Sequence, residues 1–237
     1  MEQLVFELAP PEPPTLANFL PGRNTELVAA LRGFAIGATA DTGFLIWGAA
    51  GAGKSHLLSA AGALAREQGI AARMFAEPKM VDDHGVAGSA LVIVDRIDES
   101  DAAAAGCIFT LYNTLRERGR RLLAASRLPL ASLPLREDLR TRLGWGLVYE
   151  ALPLGDNEKP AALEAYARQR GFRLSADVID YLLRHGRRDM PSLLATLAAL
   201  DRASLATKRP VTVPLLKEWL QRELEWGSSA STPALRG

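Results

Sequence analysis

One stretch of eight residues, Gly48-Ala49-Ala50-Gly51-Ala52-Gly53-Lys54-Ser55, constrains this chain more than any other. Its spacing, G-x-x-x-x-G-K-S, is that of a loop whose backbone N–H groups turn inward around the phosphates of a nucleotide. Glycine permits the bend, a lysine in the place of Lys54 neutralises the β- and γ-phosphates, and a hydroxyl in the place of Ser55 ligates Mg²⁺. The flanks agree. Phe44-Leu45-Ile46-Trp47 reads as a buried strand before the loop, and Leu57, Leu58, Ala61, Leu64 and Ala65 recur at helical spacing after it. Gly48, Gly51, Ala52, Gly53, Lys54, Ser55 and the adjoining His56 are therefore candidate nucleotide-binding residues.

The rest of the N-terminal two thirds alternates strand with helix. Leu27, Leu31 and Phe34 mark a helix before the loop; Ala71–Phe75, Leu91–Asp95, Leu122–Ser126 and Leu147–Ala151 read as further strands, with a helix through Ile108, Leu111, Tyr112 and Leu115. Crossovers this long return the chain parallel, which predicts an α/β sandwich with its ligand at the C-terminal edge of the strands. Asp95 ends an apolar strand at that edge and is the candidate to hold Mg²⁺ through water, beside Ser55. Beyond Pro153-Leu154-Gly155 only helices are expected: Asn157 to Arg170 closed by Gly171, one capped by Ser175 and closed by Gly186, Met190 to Leu205, and Pro214 to about Leu224. The expected organisation is a tether over 1–14, an α/β nucleotide-binding domain over 15–154, a helical domain over 155–226 and a disordered tail over 227–237.

With 28 Lys+Arg against 27 Asp+Glu the chain has no global excess of positive charge for gripping nucleic acid. Arg116, Arg118, Arg120 and Arg121 form the densest basic cluster and read as a solvated helix end. The single Cys107 is placed on an apolar helix face as a buried thiol. No apolar run reaches the roughly 20 residues of a membrane helix and the start lacks signal-peptide character, so a cytoplasmic location is expected. The N-terminal Leu4, Phe6 and Leu8 precede a proline-rich stretch and either dock back onto the domain or are offered to another protein.

The phosphate loop, the acid-tipped strand, a polar residue on a further strand and a small helical lid together resemble the AAA+ nucleotide-binding module. Gly53-Lys54-Ser55-His56-Leu57-Leu58, Leu111-Tyr112-Asn113 and Arg142-Leu143-Gly144-Trp145-Gly146 are similar to the replication-initiator branch, that of DnaA. With Arg188-Asp189-Met190 and Leu200-Asp201-Arg202-Ala203-Ser204-Leu205 they most resemble the Hda family, shortened relatives of DnaA that inactivate it. The likeness covers nearly the whole chain, from Gln3 to about Leu220. It implies that Arg142 is an arginine finger presented in trans to the γ-phosphate of a neighbouring subunit, that Ser126 is the polar sensor, and that Arg188 is the lid arginine reaching the bound phosphates. It implies too that Gln3, Leu4 and Phe6 form the short peptide that docks on the sliding clamp, the β subunit of DNA polymerase III. DNA is then contacted indirectly through the clamp, close to the nucleoid and replisome. ADP is the implied nucleotide, with ATP possible and Mg²⁺ beside it; a homo-oligomer is possible. The local alternative for Arg142 is a salt bridge to Glu137 or Asp138 in its own loop.

Arg96 stands where active AAA+ ATPases place a second acid that orients the attacking water, so weak or no intrinsic ATPase activity is expected, and its charge is available to help hold a nucleotide. The few residues after Leu224 do not suffice for the DNA-reading helix-turn-helix domain of DnaA, so an initiator is not expected. The expected role is to convert DnaA to its ADP form and prevent re-initiation. The competing reading is an autonomous AAA+ ATPase or loader acting on DNA or a helicase.

Overall fold

The computed structural model describes residues 13–229 except 83–85, 87, 188 and 208, and gives no side-chain account of 207 or 222–229. The chain divides into two compact units between Leu154 and Gly155.

The first unit is a five-stranded parallel sheet with helices on both faces. In chain order it runs α1 (Thr25–Ile36), β1 (Gly43–Trp47), α2 (Lys54–Glu67), β2 (Ala72–Phe75), β3 (Leu91–Val94), α3 (Ala102–Glu117), β4 (Arg121–Ser126), α4 (Glu137–Leu143) and β5 (Leu147–Glu150). The spatial order is β2-β3-β4-β1-β5, every pair parallel. Strand residues alternate between the two faces because successive side chains point to opposite sides. Phe44, Ile46, Leu91, Ile93, Leu123 and Ala125 pack with Leu27, Leu31 and Phe34 of α1 and Leu57, Leu58 and Ala61 of α2. Leu45, Val92, Val94, Leu122 and Ala124 pack with Ile108, Leu111, Tyr112 and Leu115 of α3 and Leu139 and Leu143 of α4. Burial on both faces is why β3 and most of β4 are unbroken apolar runs.

Two features anchor the ends of this sheet. Asn24 ties the start of α1 to the chain leaving β5, its amide donating to the Leu152 carbonyl at 2.8 Å and accepting from the Leu152 N–H at 2.7 Å. Gly146, at the entry to β5, meets Gly43 backbone on backbone; a Cβ on Gly146 would lie 2.1 Å from the Gly43 carbonyl oxygen.

Three expectations are corrected here. Cys107 is exposed: the buried stripe of α3 broadens toward Ala105 and Tyr112, and Cys107 sits on its other flank. Arg121 is no part of a solvated cluster, because its guanidinium turns inward, donates to the Phe34 carbonyl and lies over the Phe34 ring. The segment 137–143, read as loop, is helix α4.

The second unit is helical: α5 (Lys159–Gln169), α6 (Ala176–His185), α7 (Met190–Thr207) and α8 (Val213–Ser229). Ser175 caps α6, its hydroxyl accepting from the Val178 N–H. Leu163, Val178, Leu182, Leu193, Leu197, Leu200 and Leu216 form its core, and an ion pair between Arg170 and Asp201, 2.9 Å apart and largely buried, joins α5 to α7.

Candidate functional site

The loop after β1 turns through Gly51 (φ 81°) and Gly53 (φ 86°), both left-handed and natural only to glycine, before α2 begins at Lys54. Lys54 is buried, and its Nζ donates to the carbonyls of Gly48 (2.6 Å) and Ala49 (2.8 Å), which holds the ammonium inside the loop. Burial lowers its pKa, opposed by the charges of Asp95 and Asp98 and assisted by that of Arg127. Next to it the Ser55 hydroxyl donates to Asp95 Oδ2 at 2.5 Å, while Asp95 Oδ1 accepts from the Arg96 N–H at 2.8 Å.

These residues fit a nucleotide and a Mg²⁺ ion. A helix N-terminus preceded by a glycine-rich turn is an anion site, and the paired hydroxyl and carboxylate oxygens of Ser55 and Asp95 are the hard donors that Mg²⁺ takes alongside phosphate. Among the described residues no cluster of three or more His, Cys, Asp or Glu forms a separate metal site.

The sequence did not reveal what packs over this loop. His56 Nε2–H donates to the Thr15 carbonyl (3.0 Å), and the Phe19 ring lies 5.5 Å from the imidazole. The same ring closes on Gly53, where a Cβ would lie 2.7 Å from Phe19 Cε2. Thr15 and Asn18 brace the segment by exchanging side-chain to backbone hydrogen bonds. Burial pushes the His56 pKa down, partly offset by the bond to Thr15.

At the ends of β3 and β4 the charges are already paired. Arg96 is the one described non-glycine residue with positive φ (53°). That backbone turn sends its guanidinium to the Ala76 carbonyl and to Glu77 and Glu99, so the expectation that its charge serves the nucleotide is not met by this geometry. Ser126 is fully buried and its hydroxyl donates to and accepts from the backbone of Leu128. Arg127, the next residue, is the cation that stands at this edge: its side chain is 54% exposed and grips Asp98, only 2% exposed, at 2.8 Å, and Glu99 at 3.2 Å. Burial would raise the Asp98 pKa, but the hydrogen bonds from Arg127 outweigh it and hold the carboxyl below its usual value.

Arg142 forms a second centre. It lies in the last turn of α4, and the salt bridge to Glu137 or Asp138 weighed as an alternative is not formed. Instead Nε donates to Asn113 Oδ1 (2.7 Å) and Nη1 to the Asp138 backbone carbonyl (3.2 Å). The guanidinium lies 4.2 Å from the centre of the Phe109 ring and 5.5 Å from that of Trp145, a residue that is 54% exposed and also carries Arg116 at 4.6 Å. Asn113, Arg116, Glu117 and Arg142 line an open cleft of about 470 Å³. Arg142 precedes β5 and so sits toward the N-terminal edge of the sheet, whereas the phosphate loop leaves the C-terminal end of β1. The length of that strand, about 16 Å, separates the two levels. Thus Gly48, Gly51, Ala52, Gly53, Lys54, Ser55, His56 and Asp95 come together, Ser126 lies beside them, and Arg142 stands apart. Gln3, Leu4, Phe6 and Arg188 lie outside the described residues.

A parallel sheet in this order, with the loop after β1, the acid ending β3 and a separate helical unit, is the AAA+ fold. It has the fold of domain III of the Thermotoga maritima replication initiation protein DnaA, with a TM-score of 0.78 at 15% identity over 91% of this chain and 98% of that one. AMPPCP-bound DnaA from Aquifex aeolicus matches with a TM-score of 0.66 at 21% identity, over 79% of this chain and 64% of that one. The Thermotoga maritima RuvB Holliday junction branch migration motor matches with a TM-score of 0.64 at 16% identity, over 88% and 72%.

Residues 156–220 match the family model described as Hda, lid domain. The helical unit is thus similar to the Hda lid family, and the chain as a whole shares its fold with domain III of DnaA.

Proposed function

We propose that this protein is a regulatory inactivator of DnaA: it carries ADP in its own phosphate loop and, docked on the DNA-loaded sliding clamp, applies Arg142 to ATP held by DnaA. The observation that carries the reading is the setting of Arg142, a guanidinium at an open cleft, clear of its own loop by the length of a strand, with two donors engaged and the cation stacked on aromatic rings. A guanidinium delivered to the transferring phosphoryl group offsets charge growing on its oxygens, and such fingers are worth about 10³ to 10⁵ in rate.

The chain's own site supports retention of a nucleotide over its hydrolysis. A bound nucleotide with Mg²⁺ supplies a polyanion that ties the loop to the rest of the site; Lys54, Ser55, His56 and Asp95 hold and orient it, with Ser126 and Arg188 as further contacts. The residue after Asp95 is Arg96, already committed to Ala76, Glu77 and Glu99, and the nearby acids Asp98 and Glu99 are paired with Arg127. None of these is a free carboxylate to orient an attacking water. Gln3, Leu4 and Phe6 supply the clamp contact, an amide at a pocket rim with leucine and an aromatic filling an apolar groove.

The test mixes the protein, clamp-loaded DNA and ATP-bound DnaA. Stimulated hydrolysis should vanish with Arg142→Ala, and removal of residues 1–8 should abolish capture by the clamp. Hydrolysis indifferent to Arg142→Ala refutes the finger; undiminished capture refutes the docking peptide.

A further inference from the structure

We propose that Arg116, laid on the exposed ring of Trp145, is a docking contact for a carboxylate on the partner that receives Arg142. The inference rests on the trans-acting reading above for the identity of that partner; the platform itself does not depend on it. Trp145 follows α4 by two residues and is 54% exposed, a large aromatic surface left in water. Arg116 reaches it from the last turn of α3, its guanidinium 4.6 Å from the ring centre, and Arg142 lies 5.5 Å from the same centre. The charges of both are felt at the buried Tyr112 phenol, where they oppose the rise in pKa that burial causes. Two cations therefore share one indole beside the cleft that Asn113, Arg116, Glu117 and Arg142 line.

The two are held differently. Arg142 has Nε and Nη1 engaged by Asn113 and Asp138. Arg116 makes no side-chain hydrogen bond and no ion pair among the described residues, with Glu117 included, so the ring orients its plane while its N–H donors stay free for a forked bond to an oxyanion. The helix dipole favours a cation in this last turn, but it does not call for one laid on an indole. Arg116 is exposed where Arg142 is half-buried, which places it where a docking subunit presents side chains and not the phosphates inside its own loop. Glu117, in the same cleft, would repel a run of nucleic-acid phosphates and suits a protein surface of mixed charge. Arginine and tryptophan are the types that carry most of the energy at such contacts.

The test titrates the protein into clamp-loaded DNA and ATP-bound DnaA, with capture of labelled DnaA measured in parallel. Arg116→Ala should raise the half-maximal concentration by about 5- to 20-fold and leave the plateau rate within about twofold of the parent. Arg116→Glu should raise it further, and Arg116→Lys, which keeps the charge but not the flat stack, should fall between. The parent's advantage over Arg116→Ala should narrow as salt rises, because exposed charges are screened. A half-maximal concentration unmoved by both Arg116→Ala and Arg116→Glu overturns the contact. A lowered plateau with an unmoved half-maximal concentration overturns the carboxylate in favour of the transferring phosphate. Binding to DNA in the absence of DnaA that falls with Arg116→Glu overturns the protein partner in favour of nucleic acid. If stimulation survives Arg142→Ala while Arg116→Ala still weakens capture, the finger falls and this contact stands.

Discussion

Replacing Gly146 by alanine should damage the α/β unit far more than one methyl group suggests. The added Cβ would stand 2.1 Å from the carbonyl oxygen of Gly43, 2.6 Å from its carbon and 2.8 Å from its Cα. All three are backbone atoms, so no side chain can rotate away. Relief requires β5 to part from β1 by roughly 1 Å at its first residues, given ordinary non-bonded separations near 3.5 Å. Overpacking of this kind costs about 1–3 kcal/mol, and each ladder hydrogen bond stretched beyond use adds about 1 kcal/mol. A total near 3 kcal/mol follows, a lowering of the melting temperature by roughly 10 °C for a unit of this size. Gly106→Ala is the internal control: it lies in α3 with nothing within 4 Å of the added Cβ, and should raise stability by up to about 1 kcal/mol through helix propensity. Thermal unfolding of the full chain, followed by circular dichroism, measures both. If Gly146→Ala melts within 2 °C of the parent, the backbone contact between β1 and β5 is not as tight as described.

Three further outcomes are expected. Saturating ADP, at about 100 times its dissociation constant, should stabilise the parent by about 2.7 kcal/mol, and Lys54→Ala should lose most of that gain in a thermal-shift titration while remaining folded. Because burial holds the folded His56 below the ordinary histidine value of about 6.5, the unfolded chain takes up the proton first. The His56 contribution is therefore whole above that value and is lost as pH falls from there toward the lower folded pKa; unfolding free energies from pH 7.5 to 5.5 should decline more steeply for the parent than for His56→Gln. Asp201→Ala, which strips Arg170 of its buried partner, should cost the helical unit about 3 kcal/mol in a denaturant titration.

The fold class was readable because burial leaves a mark in composition. Leu91–Val94 is apolar throughout since both of its faces are covered, and Ser175 and Gly171 announce helix ends through the geometry their types permit. The loop motif was readable for the same reason: only certain residues serve at each place. What escaped depends on partners distant in sequence. Nothing local says that Phe19 closes on Gly53 or that Thr15 receives His56. Helix α4 is seven residues long and buries only Leu139 and Leu143, too few to show a period. Cys107 was misplaced because an apolar stripe fixes a helix's buried side but not how far it spreads on either flank. Arg121 looked like its basic neighbours, and only the Phe34 carbonyl in the last turn of α1, which also accepts from the Gly37 N–H, explains why it turns inward.

Strand β1 carries the phosphate loop at one end and abuts Gly146, four residues beyond Arg142, at the other. With Arg142 acting as proposed, such a molecule has a giving face and a receiving face, and they are different surfaces. Any contact that brings Arg142 of one copy to the loop of a relative is therefore head-to-tail, so two such molecules joined in this manner leave one donor and one acceptor unused. On the function proposed above, assembly through these faces has a direction, and a copy of this chain joined to a row of DnaA molecules would serve as donor at only one end.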